Sequence, residues 1–130
     1  VIPILKQNKA GHIFNIGSIA GKEVYPLGNV YCASKHAVDA LSKAMRIDLV
    51  NEGIKVTNIA PGAVETEFSL VRFKGDQAKA DATYNGFEPL VAHDIAETIY
   101  FVATRPQHVT INDLVIMPTA QASAVVFHKK

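Results

Sequence analysis

Tryptophan is missing from this 130-residue chain, cysteine occurs once, and neither sign of charge is in excess. Thirteen Lys and Arg stand against twelve Asp and Glu, for a formal net charge of +1. No basic run or aromatic-basic interleaving breaks that balance, which argues against nucleic acid as the main partner. A lone Cys32 cannot build a disulfide framework, so a reducing compartment, the cytoplasm, is the expected location. The five histidines are scattered without metal-ligand spacing, and no metal is expected. No apolar run is long enough to span a bilayer, and no signal-peptide pattern is present. Internal repeats, low-complexity tracts and domain linkers are also lacking. What remains is a 48% apolar chain of one-domain length. Such a chain buries roughly two-thirds of its unfolded surface on folding.

The chemistry gathers between Ser18 and Lys35, in SIAGKEVYPLGNVYCASK. On a helix, Tyr31 and Lys35 stand i, i+4 on one face. An ammonium beside a phenol favours the phenolate, so the Tyr31 pKa is expected to fall. A tyrosine tuned in that way can take or give a proton in catalysis. Ser18 is expected at a strand end, where its hydroxyl can orient a carbonyl or alcohol. A bare Y-x-x-x-K is more often a surface pair. The upstream serine and the Pro61-Gly62 turn downstream tip the balance towards a site.

Taken in order, residues 1–7 read as the end of a helix, with Gly11 near its stop. His12 to Ile16 read as a buried parallel strand. Gly21 to Gly28 form a loop. Asn29 is the expected N-cap of a helix running to about Glu52, with Gly53 as its stop. That helix has two apolar stripes: Ala33, Ala37, Ala40, Ala44 and Ile47, and Val30, Val38, Leu41, Met45 and Leu49. One is expected on the sheet and the other on a second subunit or elsewhere in a larger monomer. Ile54 to Ile59 form the next strand, and Pro61-Gly62 turn the chain out of it. Residues 63–92 are a long connection with broken helical periodicity, expected to act as a lid. Within it Arg72 could grip a carboxylate, or be a solvated or ion-paired arginine. Lys74, Asp76, Lys79 and Asp81 read as a wet helical face. His93 to Thr104 form a helix with Ile95, Ile99 and Val102 inward, and Ile111 to Met117 the last strand. The apolar tail from Ala120 to Phe127 needs a cover, a partner subunit or else a flexible end. This order indicates an α/β fold with a parallel sheet, all 130 residues belonging to one domain.

Asn15-Ile16-Gly17-Ser18, Ala20-Gly21, Tyr31-x-x-x-Lys35 and Asn58-Ile59-Ala60-Pro61-Gly62 together resemble the short-chain dehydrogenase/reductase family along nearly the whole chain. The stretch from Glu67 to Asp76 is similar to the NADP-dependent branch acting on 3-hydroxy acids, including serine and allo-threonine dehydrogenases. The resemblance implies the C-terminal part of a Rossmann-type doubly wound parallel sheet, corresponding to its last three strands. It implies hydride transfer between NADP(H), or NAD(H), and a hydroxy acid or other alcohol or carbonyl. Tyr31 would be the acid/base, Lys35 would hold the nicotinamide ribose, and Ser18 would orient the reacting oxygen. Pro61, Gly62, Val64 and Thr66 would contact the nicotinamide end, and Ser18 and Arg72 the substrate. A homo-oligomer, dimer or tetramer, is implied as well.

The family's glycine-rich pyrophosphate turn does not occur here, and Asn15 is at the wrong place to be its catalytic asparagine. The expectation is therefore a chain lacking the N-terminal cofactor-binding half and inactive alone. The alternative is a non-catalytic assembly module of the same fold. A serine hydrolase is a poor reading, because Gly-x-Ser-x-Gly is absent around Ser18.

Overall fold

The computed structural model describes residues 1–130. Helix α1 (Ile2–Asn8) starts on Pro3 in its first turn and stops at Lys9, which takes the left-handed conformation (φ 47°). The stop is thus Lys9, near Gly11 as expected, and Gly11 opens strand β1 (Gly11–Ile16). A single 3-10 turn (Ile19–Gly21) and a loop lead to helix α2 (Asn29–Leu49). A further 3-10 turn (Val50–Glu52) prolongs it to Gly53, at φ 66°. The N-cap of α2 is Gly28, not the expected Asn29. Asn29 is the first helical residue and folds its Oδ1 onto the Val30 amide at 2.8 Å.

Strand β2 (Ile54–Pro61) pairs in parallel with β1 from Gly11↔Ile54 to Ile16↔Ile59. On its other side it pairs in parallel with β5 (Asp113–Ile116), from Asn58↔Asp113 to Pro61↔Ile116. The sheet order is β1-β2-β5, with β2 central and buried along nearly its whole length. Burial on both faces is expected of a parallel strand, although this one also hides two polar residues, Thr57 and Asn58. Between β2 and β5 lie β3 (Val64–Glu65), α3 (Glu67–Arg72), α4 (Gln77–Tyr84), β4 (Leu90–Val91) and α5 (Ala92–Ala103). The expected lid is thus two short helices held by a two-stranded parallel ribbon, β3 with β4.

Leu49, Ile54 and Val56 form the packed core, with Leu5, Ile13 and Met45 against it. Only one face of α2 is buried: Cys32, Ser42 and Leu49, with Val38 and Met45 beside them. Val30 and Leu41, assigned to that stripe from spacing, are 79% and 55% exposed. The other stripe, Ala33, Ala37, Ala40, Ala44 and Ile47, is open along its length. The apolar tail, expected to be covered by a partner subunit or to be a flexible end, finds its cover within the chain. It folds back on its own chain, with Phe127 on Phe87 and the Lys130 amide on the Gly86 carbonyl at 2.9 Å. Val125 and Val126 each keep 56% of their surface. No helix is long and apolar enough to cross a membrane.

Ile59 is wholly buried at the centre of the sheet. Ile59→Ala is expected to destabilise the fold by about 2–5 kcal/mol through lost transfer energy plus cavity. Urea unfolding monitored by circular dichroism checks this; a change under 1 kcal/mol would place the core elsewhere.

Candidate active site

The carboxyl ends of β1 and β2 open into one cavity of about 420 Å³. Ligands of open α/β sheets sit at such ends. Ser18 follows β1 by two residues, with extended backbone. Its Oγ accepts the Ala20 amide at 3.1 Å, starting the 3-10 turn, and donates to the Pro61 carbonyl at 3.4 Å. Gly21 lets this turn rest on α2, since a Cβ there would lie 2.6 Å from the Lys35 carbonyl. Tyr31 and Lys35 sit on the first turns of α2, and both face the cavity. The structure therefore brings Ser18, Tyr31 and Lys35 together from two separate elements. Pro61, Gly62, Val64 and Thr66 line the same cavity, and Thr66 also caps α3 through the Phe68 amide at 3.3 Å.

The electrostatics differ from the sequence expectation. Burial pushes the Tyr31 phenol above its ordinary value of 10.0, although the Ser18 hydroxyl and the Arg72 guanidinium pull the other way. Lys35 does not lower it. Its ammonium is 5.8 Å from the Tyr31 ring centroid and donates instead to the Ile16 carbonyl at 3.0 Å. Burial also holds Lys35 below its ordinary value. Desolvation disfavours both charged forms.

Arg72 reaches the cavity from α3 and makes no ion pair. Its guanidinium lies 5.6 Å from the Tyr25 ring centroid, with Nη1 3.5 Å from the Tyr25 hydroxyl. Asp76 and Lys79, read as a wet face, pair at 2.8 Å at the start of α4, where Asp76 is the N-cap. Four lining groups were not found from sequence. Tyr25 lies in a loop without periodicity. Ser69 and Tyr84 meet at 2.7 Å, and Tyr84 donates to the Val64 carbonyl at 2.8 Å, fastening both lid helices to β3. Gln121 comes from the tail. No spacing marks any of them, because each is defined by a contact across the chain.

The parallel sheet, its crossover helix and a cavity at the strand carboxyl ends define a Rossmann-type α/β protein. The sequence profile of short chain dehydrogenases matches residues 1–76, and the chain belongs to that family. An NADP-dependent 3-hydroxy acid dehydrogenase of Schizosaccharomyces pombe is 44% identical over 130 residues, covering 100% of this chain and 50% of that protein. Sulfoacetaldehyde reductase 2 of Chromohalobacter salexigens is 50% identical over 123 residues, or 94% of this chain and 49% of the other. The closed form of a serine dehydrogenase complexed with NADP+ superposes with a TM-score of 0.93 at 44% identity, covering 100% of this chain and 53% of that one. The chain spans about half the length of the curated relatives it matches.

With its pKa raised, Tyr31 is protonated at neutral pH, and its ionisation follows that of an unperturbed tyrosine. Subtracting the phenolate absorbance titration of Tyr31→Phe from that of the parent is expected to leave one step above pH 10.0. A step below that value would restore the lysine-lowered phenol.

Proposed function

We propose that this chain is the C-terminal, substrate-side portion of a longer single-domain oxidoreductase. The full-length protein would transfer a hydride between NADP(H) and a small alcohol or carbonyl compound bearing an anionic group. The convergence of Ser18, Tyr31 and Lys35 on one cavity is the observation that carries this reading. The residues present fit the reactive end of such a cofactor. Ser18, Tyr31 and Lys35 line, together with the backbone run Pro61–Val64, one cavity of ligand size. A glycine-rich phosphate turn is absent from the sequence, so the adenine and pyrophosphate would be held by the N-terminal half.

When bound, NADP(H) supplies or accepts the hydride at the substrate carbon. Ser18 holds the substrate oxygen towards Tyr31. In the reducing direction the Tyr31 hydroxyl gives that oxygen its proton; in the oxidising direction the phenolate takes it back. Burial keeps the phenol protonated in the absence of ligand, which is the form that reduction needs. The Lys35 ammonium, held at the end of β1 by the Ile16 carbonyl, would hold the nicotinamide ribose through its hydroxyls.

The substrate class follows from the two named relatives and one side chain. In a 3-hydroxy acid the carboxylate is on the carbon next to the reacting one, and in sulfoacetaldehyde the sulfonate is attached to that carbon. Both therefore present an anion at similar reach. Arg72, facing the cavity without an ion pair, is the group to receive it. A small 3-hydroxy acid such as serine or allo-threonine is the preferred substrate, with NADP preferred to NAD.

The uncovered stripe of α2 supports a homo-oligomer, dimer or tetramer. The buried, unpaired Cys32 supports a reducing, cytoplasmic setting. On this reading the 130-residue chain alone is inactive. The second reading, an assembly module without catalysis, is favoured only by that same open stripe.

In the full-length protein, Tyr31→Phe is expected to reduce turnover with a 3-hydroxy acid to near zero while the NADPH dissociation constant stays within a few-fold. Steady-state kinetics and a fluorescence titration measure the two. Near-parental kcat would remove Tyr31 from the acid/base role. Arg72→Ala is expected to weaken the transition state for carboxylate or sulfonate substrates by about 1.5–3 kcal/mol, the value of a charge-assisted hydrogen bond. A neutral alcohol is expected to be spared. Equal losses of kcat/KM on anionic and neutral substrates would show that Arg72 does not bind the anion.

A further inference from the structure

The tail beyond β5 forms part of the cavity wall, and it contains a buried amide side chain with both ends committed. Residues 120–128 turn back in a small hairpin. Gln121 and Phe127 form an antiparallel bridge, the Ala122 amide donates to the Val126 carbonyl at 2.9 Å, and the His128 amide to the Ala120 carbonyl at 2.8 Å. Gln121 is only 6% exposed. Its Oε1 accepts the Ala63 amide at 2.8 Å, and its Nε2 donates to the Ser123 carbonyl at 3.0 Å.

Ala63 lies just past the end of β2. The last rung of the sheet is the Gly62 amide on the Ile116 carbonyl at 2.7 Å. Beyond it the Ala63 amide has Gln121 as its partner. A Cβ on Gly62 would come within 2.3 Å of Gln121 Oε1, so glycine there makes the approach possible. On the other side, the Ala63 carbonyl accepts the Leu90 amide at 3.0 Å and the Val64 carbonyl accepts the Tyr84 hydroxyl at 2.8 Å. The wall is thus fastened to the lid on one side and to the tail on the other. The tail reaches the Ser18 loop too, through the Ala124 amide on Glu23 Oε2 at 2.8 Å.

We propose that Gln121 is a positioning residue, which through the Ala63 amide sets the Gly62–Val64 wall against which the reactive end of the cofactor packs. This rests on the functional reading above. Without Gln121 the partly buried Ala63 amide loses its partner, and the wall shifts to find another. Hydride transfer is sensitive to such shifts, because a misplacement of roughly 1 Å costs up to about 100-fold in rate.

The test uses the full-length protein. Gln121→Met keeps length and removes both hydrogen bonds; Gln121→Asn keeps the amide but is one methylene short. Both are expected to lower kcat by roughly 10-fold to 100-fold. They should also weaken NADPH binding in a fluorescence titration and raise the primary isotope effect with NADPH deuterated at the transferred position. Val126→Ala, on the open side of the same hairpin, should match the parent. Independently of turnover, the Ala63 amide of the cofactor-free parent protein should exchange slowly with deuterium.

If Gln121→Met does not fold, Gln121→Asn and the exchange rate of the parent decide. The proposal is overturned if the folded variants keep kcat and NADPH affinity within twofold. It is equally overturned if their melting temperature falls while the isotope effect and NADPH affinity stay at parental values, or if Ala63 exchanges freely in the parent. A parent protein that turns over no hydroxy acid or carbonyl substrate overturns the functional reading and this one with it. Turnover by the parent with unaltered variants overturns this one alone.

Discussion

The side chain of Asn58 ties this structure together. It is 1% exposed at the centre of β2, and its Nδ2 donates to Asp113 at 2.8 Å and to Asp39 at 3.3 Å. Those carboxylates belong to β5 and α2, and Lys22, in the loop after Ser18, bridges them. Burial alone would raise the Asp39 pKa; the Lys22 and Lys43 ammoniums overcome that and hold it below the usual carboxylate value. One buried amide therefore joins the middle strand, an outer strand, the crossover helix and the Ser18 loop. Its Oδ1 lies where a Cβ on residue 17 would come within 2.4 Å, so the residue before Ser18 is glycine. Leaving a member of such a network unpaired costs far more than its net contribution when paired.

Above that tie, hydrogen bonds between side chains and backbone cross-link the walls of the cavity. Ser18 meets the Pro61 carbonyl, Lys35 the Ile16 carbonyl, Tyr84 the Val64 carbonyl and Gln121 the Ala63 amide. Each joins a side chain from one element to the main chain of another. The walls are consequently set by distances of hydrogen-bond length, which suits a reaction in which atoms must approach closely.

The sheet, the long helix and the Ser18, Tyr31 and Lys35 grouping were legible because local signals carry them. These signals are a β-rich run ending in Gly-Ser, an i, i+4 pair, and a Pro-Gly turn after an apolar strand. Within the sheet-facing stripe Val30 and Leu41 were misassigned, because α2 is rich in small apolar residues on several sides and periodicity does not say where the buried line runs. Its buried line runs through Cys32 and Ser42, and Ser42 hides a polar group by donating to the Val38 carbonyl at 2.7 Å. The Tyr31 pKa was misread for another reason. Spacing gives the neighbourhood of Lys35 but not where its ammonium goes, and the Ile16 carbonyl takes it. Gln121 and Tyr25 were illegible outright, since their partners lie 58 and 47 positions away.

The tail hairpin has a consequence for the order in which the protein comes into being. The cavity draws residues from Ile16 to Phe127, so almost the whole chain must be in place before its walls close. The Tyr31 and Lys35 helix can form early from local contacts, but the wall facing it waits for residues 120–128 to dock. Contacts so distant in sequence form late in folding. Ligand therefore has no complete site to enter on a nascent chain, and the stabilisation that binding brings is confined to molecules whose folding has reached the tail.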